Sequence, residues 1–178
     1  MKNRKILIIV FIGIVLDRIS KLLVSFNIAE GKVIKVIGNF FRLTYLKNVG
    51  AAWSMFEGKI VFLIIISILF LIFMFKAVLN DKRNTMTNIL GYSFIISGII
   101  GNLIDRIIYK YVIDFLSFNI FGYYFPVFNI ADSLIVVGAV IFIIDIIMEG
   151  REKSPLEDEY KKIEEKVNGK NSSRKRKS

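Results

Sequence analysis

GNLIDRIIYKYVIDFLSFNIFGYYFPVFNIAD, residues 101–132, decides how this chain is built. It joins two apolar runs, Ile89–Tyr109 and Val127–Met148, and it carries Asp105, Asp114 and Asp132. A helix needs about 20 mostly apolar residues to cross roughly 30 Å of hydrocarbon. Both runs have that length, as does Ile60–Leu79. A fourth run, Ile6–Phe26, is long enough but is interrupted by Asp17, Arg18 and Lys21. Ionisable residues at a membrane edge are costly and point to function.

Working outward, we read an all-α polytopic membrane protein with four transmembrane helices, at about 6–26, 60–79, 89–109 and 127–148. Residues 1–148 then form one membrane-embedded domain, and 149–178 a charged cytoplasmic tail. The first connection, 27–59, contains GKVIKVIGNFFRLTYLKN (31–48), whose β-branched and aromatic residues partly alternate. That pattern predicts a small β-sheet on the outer membrane surface. Tyr123, Tyr124 and Phe125, in the connection 110–126, suit an aromatic belt at the same interface. Lys2, Arg4 and Lys5, then Lys76, Lys82 and Arg83, place both termini inside by the positive-inside rule. MKNRK before an apolar run has the look of a signal peptide, but LDRISK follows in place of a small-residue cleavage site, so we expect retention as an anchor.

At 54% hydrophobic the chain is too apolar for an ordinary soluble domain. It has no Cys and no His, which removes thiol catalysis, disulfides, His-based triads and His- or Cys-ligated zinc. Carboxylate, Lys, Tyr and Ser/Thr chemistry remains, and no cofactor or metal is expected. Of the formal +10, the tail supplies ten Lys/Arg against seven Asp/Glu, a net +3. Its RKRK cluster can touch anionic lipid. There is no basic-aromatic platform for nucleic acid.

Counting places the carboxylates. Asp114 lies nine residues beyond Asp105, at or just past the interface, and Asp132 about one turn inside the next run from the same side. The seventeen residues between Asp114 and Asp132 can turn back and bring the two together. Two adjacent carboxyls share a proton and titrate as a unit, and such a pair can deprotonate water while hydrogen-bonding a carbonyl oxygen. The alternative is that each Asp pairs with a cation or caps a helix; Arg106 beside Asp105 is a candidate for such pairing. Asn102 and Asp105, and Asn129 and Asp132, are three apart and share a helix face. The asparagines can donate to a substrate carbonyl or a carboxylate, or simply bond between helices. Gly50, Ala51 and Ala52, flanked by Asn48 and Trp53, are small enough to let another chain approach. Asp17 and Lys21 are an i,i+4 pair that can neutralise each other in a structural role.

Five strings in order, LDRISK, NVGAAWS, GNLIDR, VIDF and FNIAD, resemble the boxes of lipoprotein signal peptidase, the type II signal peptidase of bacteria, over about residues 8–148. The resemblance implies a catalytic dyad of Asp114 and Asp132. It implies that Asn48, Gly50, Asn102, Arg106, Asn129 and Ala131 line or support the substrate site, and that Asp17, Lys21 and Asp105 are structural. It also implies cleavage of prolipoproteins on the N-terminal side of a diacylglyceryl-modified cysteine, with membrane lipid as the medium, in the bacterial cytoplasmic membrane. Arg18 stands where Gln is common, and Ser97-Gly98-Ile99 where Gly-Gly-Ala is common.

The leading expectation is therefore an intramembrane aspartic endopeptidase, acting as a monomer. A proton- or cation-coupled carrier using buried Asp residues competes, although the chain has no repeated half. A membrane scaffold, with polar residues serving only packing, is the third reading.

Overall fold

A computed structural model of the chain describes residues 2–51 and 55–152, so Ala52, Trp53 and the tail from 153 lie outside the described residues. The elements in order are α1 (Lys2–Asn27), β1 (Val33–Ile37), β2 (Phe41–Asn48), α2 (Ile60–Asn80), α3 (Met86–Tyr109), β3 (Val112–Ile120), β4 (Tyr123–Tyr124) and α4 (Ile130–Glu152). Met1–Phe142 make one compact unit, which holds every side chain discussed below, and the chain from Ile143 makes a second.

Three helices, α2, α3 and residues 130–148 of α4, are long and apolar enough to cross a membrane. α2 buries only Leu63, Met74 and Val78, packs Leu71 and Ala77 partly against the core, and leaves most of its other apolar side chains exposed. Soluble proteins rarely expose apolar surface on this scale, whereas lipid accepts it. α3 is the opposite case: it is buried along most of its length. Its first turn is capped by Thr85, whose hydroxyl accepts from the Asn88 N–H at 3.2 Å. Lys110, at φ 66°, ends it in the left-handed conformation.

α1 buries Ile6, Val10, Gly13, Asp17, Lys21 and Val24, a stripe at three- and four-residue spacing. Its charged pair thus shares the inward face with its apolar residues. The first core cluster gathers Ile6 and Val10 with Met74, Val78, Ile89, Tyr92, Ile95, Ile96 and Ile99. The second joins Val24 and Ile28 to Ile113 and Phe115 of β3. Along α1 the polar layer of Asp17 and Lys21 lies between the two. Close helix approach makes that layer possible. A Cβ on Gly101 would come 2.6 Å from Asp17 Oδ2, and one on Gly98 would collide with the Ala131 carbonyl.

The sheet is larger than the sequence suggested. Beyond β1 and β2 it includes β3 and β4, all antiparallel in the order β1-β2-β3-β4. The aromatic connection 110–126 is therefore mostly strand. Asp114 sits on β3, opposite Leu46, and the β2–β3 register shifts between Leu43 and Leu46 just beside it. Such irregularities re-aim strand side chains. Phe128 then bridges back to Leu116, its N–H and carbonyl bonding Leu116 at 3.1 and 2.7 Å. This pairing holds residues up to Asn129 extended. For that reason α4 begins at Ile130 instead of about 127, with Asp132 in its first turn.

Candidate active site

The site is built on the start of α4. Asn129 precedes the first helical residue, and its Oδ1 accepts from the Asp132 N–H at 3.0 Å. Asp132 Oδ2 reaches back to the Asn129 N–H at 3.1 Å. This reciprocal capping box satisfies two helix-end donors and fixes the orientation of the Asp132 carboxyl. The next donor, the Ala131 N–H, is taken by Asp17 Oδ1 of α1 at 2.9 Å. Three residues in sequence, Asn129, Ala131 and Asp132, are thus held by the physics of one helix terminus.

The Asn129 side chain also connects the two candidate carboxyls. Its Nδ2 donates to Asp114 Oδ1 at 2.6 Å and to Asn102 Oδ1 at 3.2 Å. Asn102 in turn donates to Asp132 Oδ1 at 2.7 Å. Asp114 Oδ2 receives Asn48 Nδ2 at 2.8 Å from β2. Asn48 is itself steadied by the Gly50 N–H, 2.9 Å from its Oδ1. Asp114 is almost fully buried, as are Asn102 and Asn129. Burial, and next the negative charge of Asp132, push the Asp114 carboxyl up to about 7 against the opposing amides of Asn48 and Asn129. Asp114 therefore keeps its proton up to about neutrality.

Behind the pair lies an ion network. Lys21, wholly buried, sits 2.8 Å from Asp17 Oδ2 and 2.8 Å from Asp105 Oδ2, and donates to Asn102 Oδ1 at 3.0 Å. Asp105 also takes the guanidinium of Arg18, which lies over the Tyr109 ring. The expected pairing of Asp105 with Arg106 does not form. Successive helix residues point about 100° apart, so the two side chains leave α3 in different directions. Arg106 instead reaches Gly50 O at 3.4 Å, and its buried Nε has no partner among the described residues.

Asn48, Asn102, Arg106, Asp114 and Asp132 share the wall of a cavity of about 550 Å³. The rest of the lining is mostly apolar, with Phe125, Val127, Phe128, Ile135 and Val136 among others. Two carboxyls facing a largely apolar space suit hydrolysis of a bond carried by an apolar substrate.

Sequence reasoning passed over Asp81. Its carboxylate binds Arg83, takes Asn88 Nδ2 at 2.7 Å and the Tyr92 hydroxyl at 3.1 Å, and lies 4.0 Å from Lys2. The polar run NDKRNTMTN (80–88), which contains Asp81, was the available signal, but it reads as any exposed turn.

The family model for signal peptidase (SPase) II matches residues 9–148. A lipoprotein signal peptidase of Clostridium novyi is 43% identical over 148 residues, covering 83% of this chain and 99% of that protein. One from Staphylococcus aureus is 36% identical over 152 residues, covering 85% and 93%. Among solved structures, a bacterial membrane enzyme determined by the in meso method at 2.3 Å aligns with a TM-score of 0.78 at 33% identity, covering 84% of this chain and 92% of that one.

Proposed function

The chain belongs to the signal peptidase II family, and from that premise we propose that it removes signal peptides from prolipoproteins with Asp114 and Asp132 as its catalytic dyad. The observation that carries the assignment is the pair itself: two carboxyls from β3 and α4, joined through Asn129, on the polar wall of the cavity.

One carboxylate takes a proton from water as the water oxygen attacks the scissile carbonyl carbon. The protonated partner hydrogen-bonds the carbonyl oxygen as it gains charge. Collapse of the tetrahedral intermediate breaks the C–N bond, and the leaving amine takes up the proton held by the base. Each such proton-transfer role typically contributes about 10²–10⁴-fold. Asn48, Gly50, Asn102, Asn129 and Ala131 hold the dyad in place, and Arg106 lines the cavity as the cation beside the dyad. Asp17, Lys21 and Asp105 lock α1 to α3.

The scissile bond lies on the N-terminal side of a diacylglyceryl-modified cysteine. The apolar cavity wall suits acyl chains and the signal helix. In this reading α1–α4 all span the bacterial membrane, and residues 1–148 form the peptidase domain. Both termini are cytoplasmic, and the sheet rests on the outer surface. The exposed Val33, Ile34, Val36 and Ile37 of β1 support that placement of the sheet. The enzyme works as a monomer without a cofactor. The family match favours this chemistry over a carrier.

The test is cleavage of a synthetic diacylglyceryl-prolipoprotein by purified protein in detergent, with a chelator present. Wild type should cut before the lipidated cysteine and Asp132→Asn should not. Cleavage by a folded Asp132→Asn variant would sink the dyad assignment.

A further inference from the structure

The dyad is symmetric in residue type but not in surroundings. Asp132 accepts a backbone N–H at the start of α4, where the aligned peptide dipoles favour negative charge. Its other oxygen accepts from Asn102, whose own oxygen is bound by the Lys21 ammonium at 3.0 Å. A cation on the amide oxygen polarises the amide and strengthens its N–H donors toward Asp132. Asp114 has no such support among the described residues. It sits on a strand, accepts no backbone N–H of a helix end, and receives the side-chain amides of Asn48 and Asn129.

Charge counting points the same way. The ionisable groups facing this layer are Asp17, Arg18 and Lys21 from α1, Asp105 and Arg106 from α3, Asp114 from β3 and Asp132 from α4. Four carboxyls face three cations, so the cluster is neutral with one proton added. Asp17 and Asp105 each touch Lys21 or Arg18 directly, and a proton there would displace an ion pair. The proton therefore belongs to the dyad.

The geometry points to Lys21 as a positioning residue for the reaction: acting through Asn102, it holds Asp132 as the carboxylate and leaves the proton on Asp114. Asp132 is then the base that takes the water proton, and Asp114 the acid facing the carbonyl oxygen. Lys21 touches neither carboxyl directly. This assignment rests on the dyad reading and goes beyond it, because a merely structural Lys21 would have no bearing on which Asp carries the proton.

The test is the pH profile of cleavage for Lys21→Met/Asp17→Asn. This pair of changes keeps the net charge, and the amide carbonyl introduced at position 17 can still accept from the Ala131 N–H. With the relay gone, Asp132 should become harder to ionise. The acidic limb of the kcat/KM profile should move up by about one pH unit, while the alkaline limb moves less and the profile narrows. Lys21→Arg, which keeps a cation on Asn102, should keep the wild-type limbs. If the double variant does not fold, Lys21→Gln carries the same test, since it retains a donor for Asp17 and Asp105. A folded, active double variant or Lys21→Gln with the wild-type acidic limb would overturn the role of Lys21. Asp132→Asn is run alongside: if it still cleaves, the dyad reading itself has failed, whereas an inactive Asp132→Asn with unmoved limbs in the Lys21 variants removes the relay alone.

Discussion

Two carboxylate clusters occupy opposite ends of α3, and they treat the same functional group in opposite ways. At the start of the helix, Asp81 is held well below the usual carboxylate range, first by its hydrogen bonds from Arg83 and then by Asn88 and Lys2. At the far end, Asp114 is pushed up to about 7 by burial and by Asp132. The difference lies in burial at one end and in the cationic donors at the other. Asp81 is surrounded by cations, so it stays charged and ties α1, α2 and α3 together. Asp114 is buried beside another carboxyl, which its two amide donors only partly offset, so it keeps a proton that chemistry can use.

The sharpest way to break this contrast is to remove carboxylates at each end. Asp114→Asn and Asp132→Asn should each lower turnover of a lipidated precursor by at least about 10³-fold, with membrane insertion and melting behaviour retained. The asparagines keep the shape and one of the two acceptor oxygens, so the loss reports chiefly on the titratable carboxyl. Normal turnover in either variant would leave both clusters merely structural.

The second prediction follows the shared proton. Cleavage should fall as pH rises through about 7, approaching tenfold per unit above it, because the proton is stripped from the dyad. Stability moves in the same direction. The folded value of Asp114 lies above the unfolded value of about 3.9. Its stabilising contribution is therefore complete below that value and is lost as pH rises through about 7. Asp81 has the opposite sign: its contribution is present above the unfolded value and is lost in acid, as pH falls through its depressed folded value. A pH titration of melting temperature in detergent, repeated on Asp81→Ala and Asp114→Asn, separates the two limbs.

Asp81→Ala itself should leave kcat within about twofold, since the site is remote from the cavity. It should cost about 1–3 kcal/mol of stability, because Asn88 and Tyr92 lose a charged acceptor. A large drop in kcat with unchanged melting would mean that the two ends of α3 are coupled.

The same contrast explains what the sequence made legible. The apolar lengths located the helices, because spanning hydrocarbon constrains composition directly. Asn129 and Asp132 were legible as a pair three residues apart, but the spacing reads as a shared helix face, whereas Asn129 caps the helix from outside it. β3 was not. Val112, Ile113, Asp114 and Phe115 are all buried, so the strand lacks alternation and reads as part of an aromatic connection. The break at Lys110 is a non-glycine residue at positive φ, which carries no sequence mark. Partnerships across long separations were equally hidden. Arg18 meets Asp105 from 87 positions away, and only the folded register reveals it.

That last contact yields the smallest predicted effect. Arg18 is partly exposed and is one of two cations on Asp105; Lys21 remains at 2.8 Å. Arg18→Gln removes a charge and leaves only a shorter donor, while Asp105 stays bound on one side by an ammonium. The expected cost is about 1 kcal/mol of stability, as for a partly screened ion pair, with activity changed by less than about threefold. Such a small change would place the essential cation of the layer at Lys21 and make Arg18 an outer brace. A loss of activity approaching that of the dyad variants would instead show that Asp105 needs both cations, and that the neutral balance of the whole layer sets the state of Asp114 and Asp132.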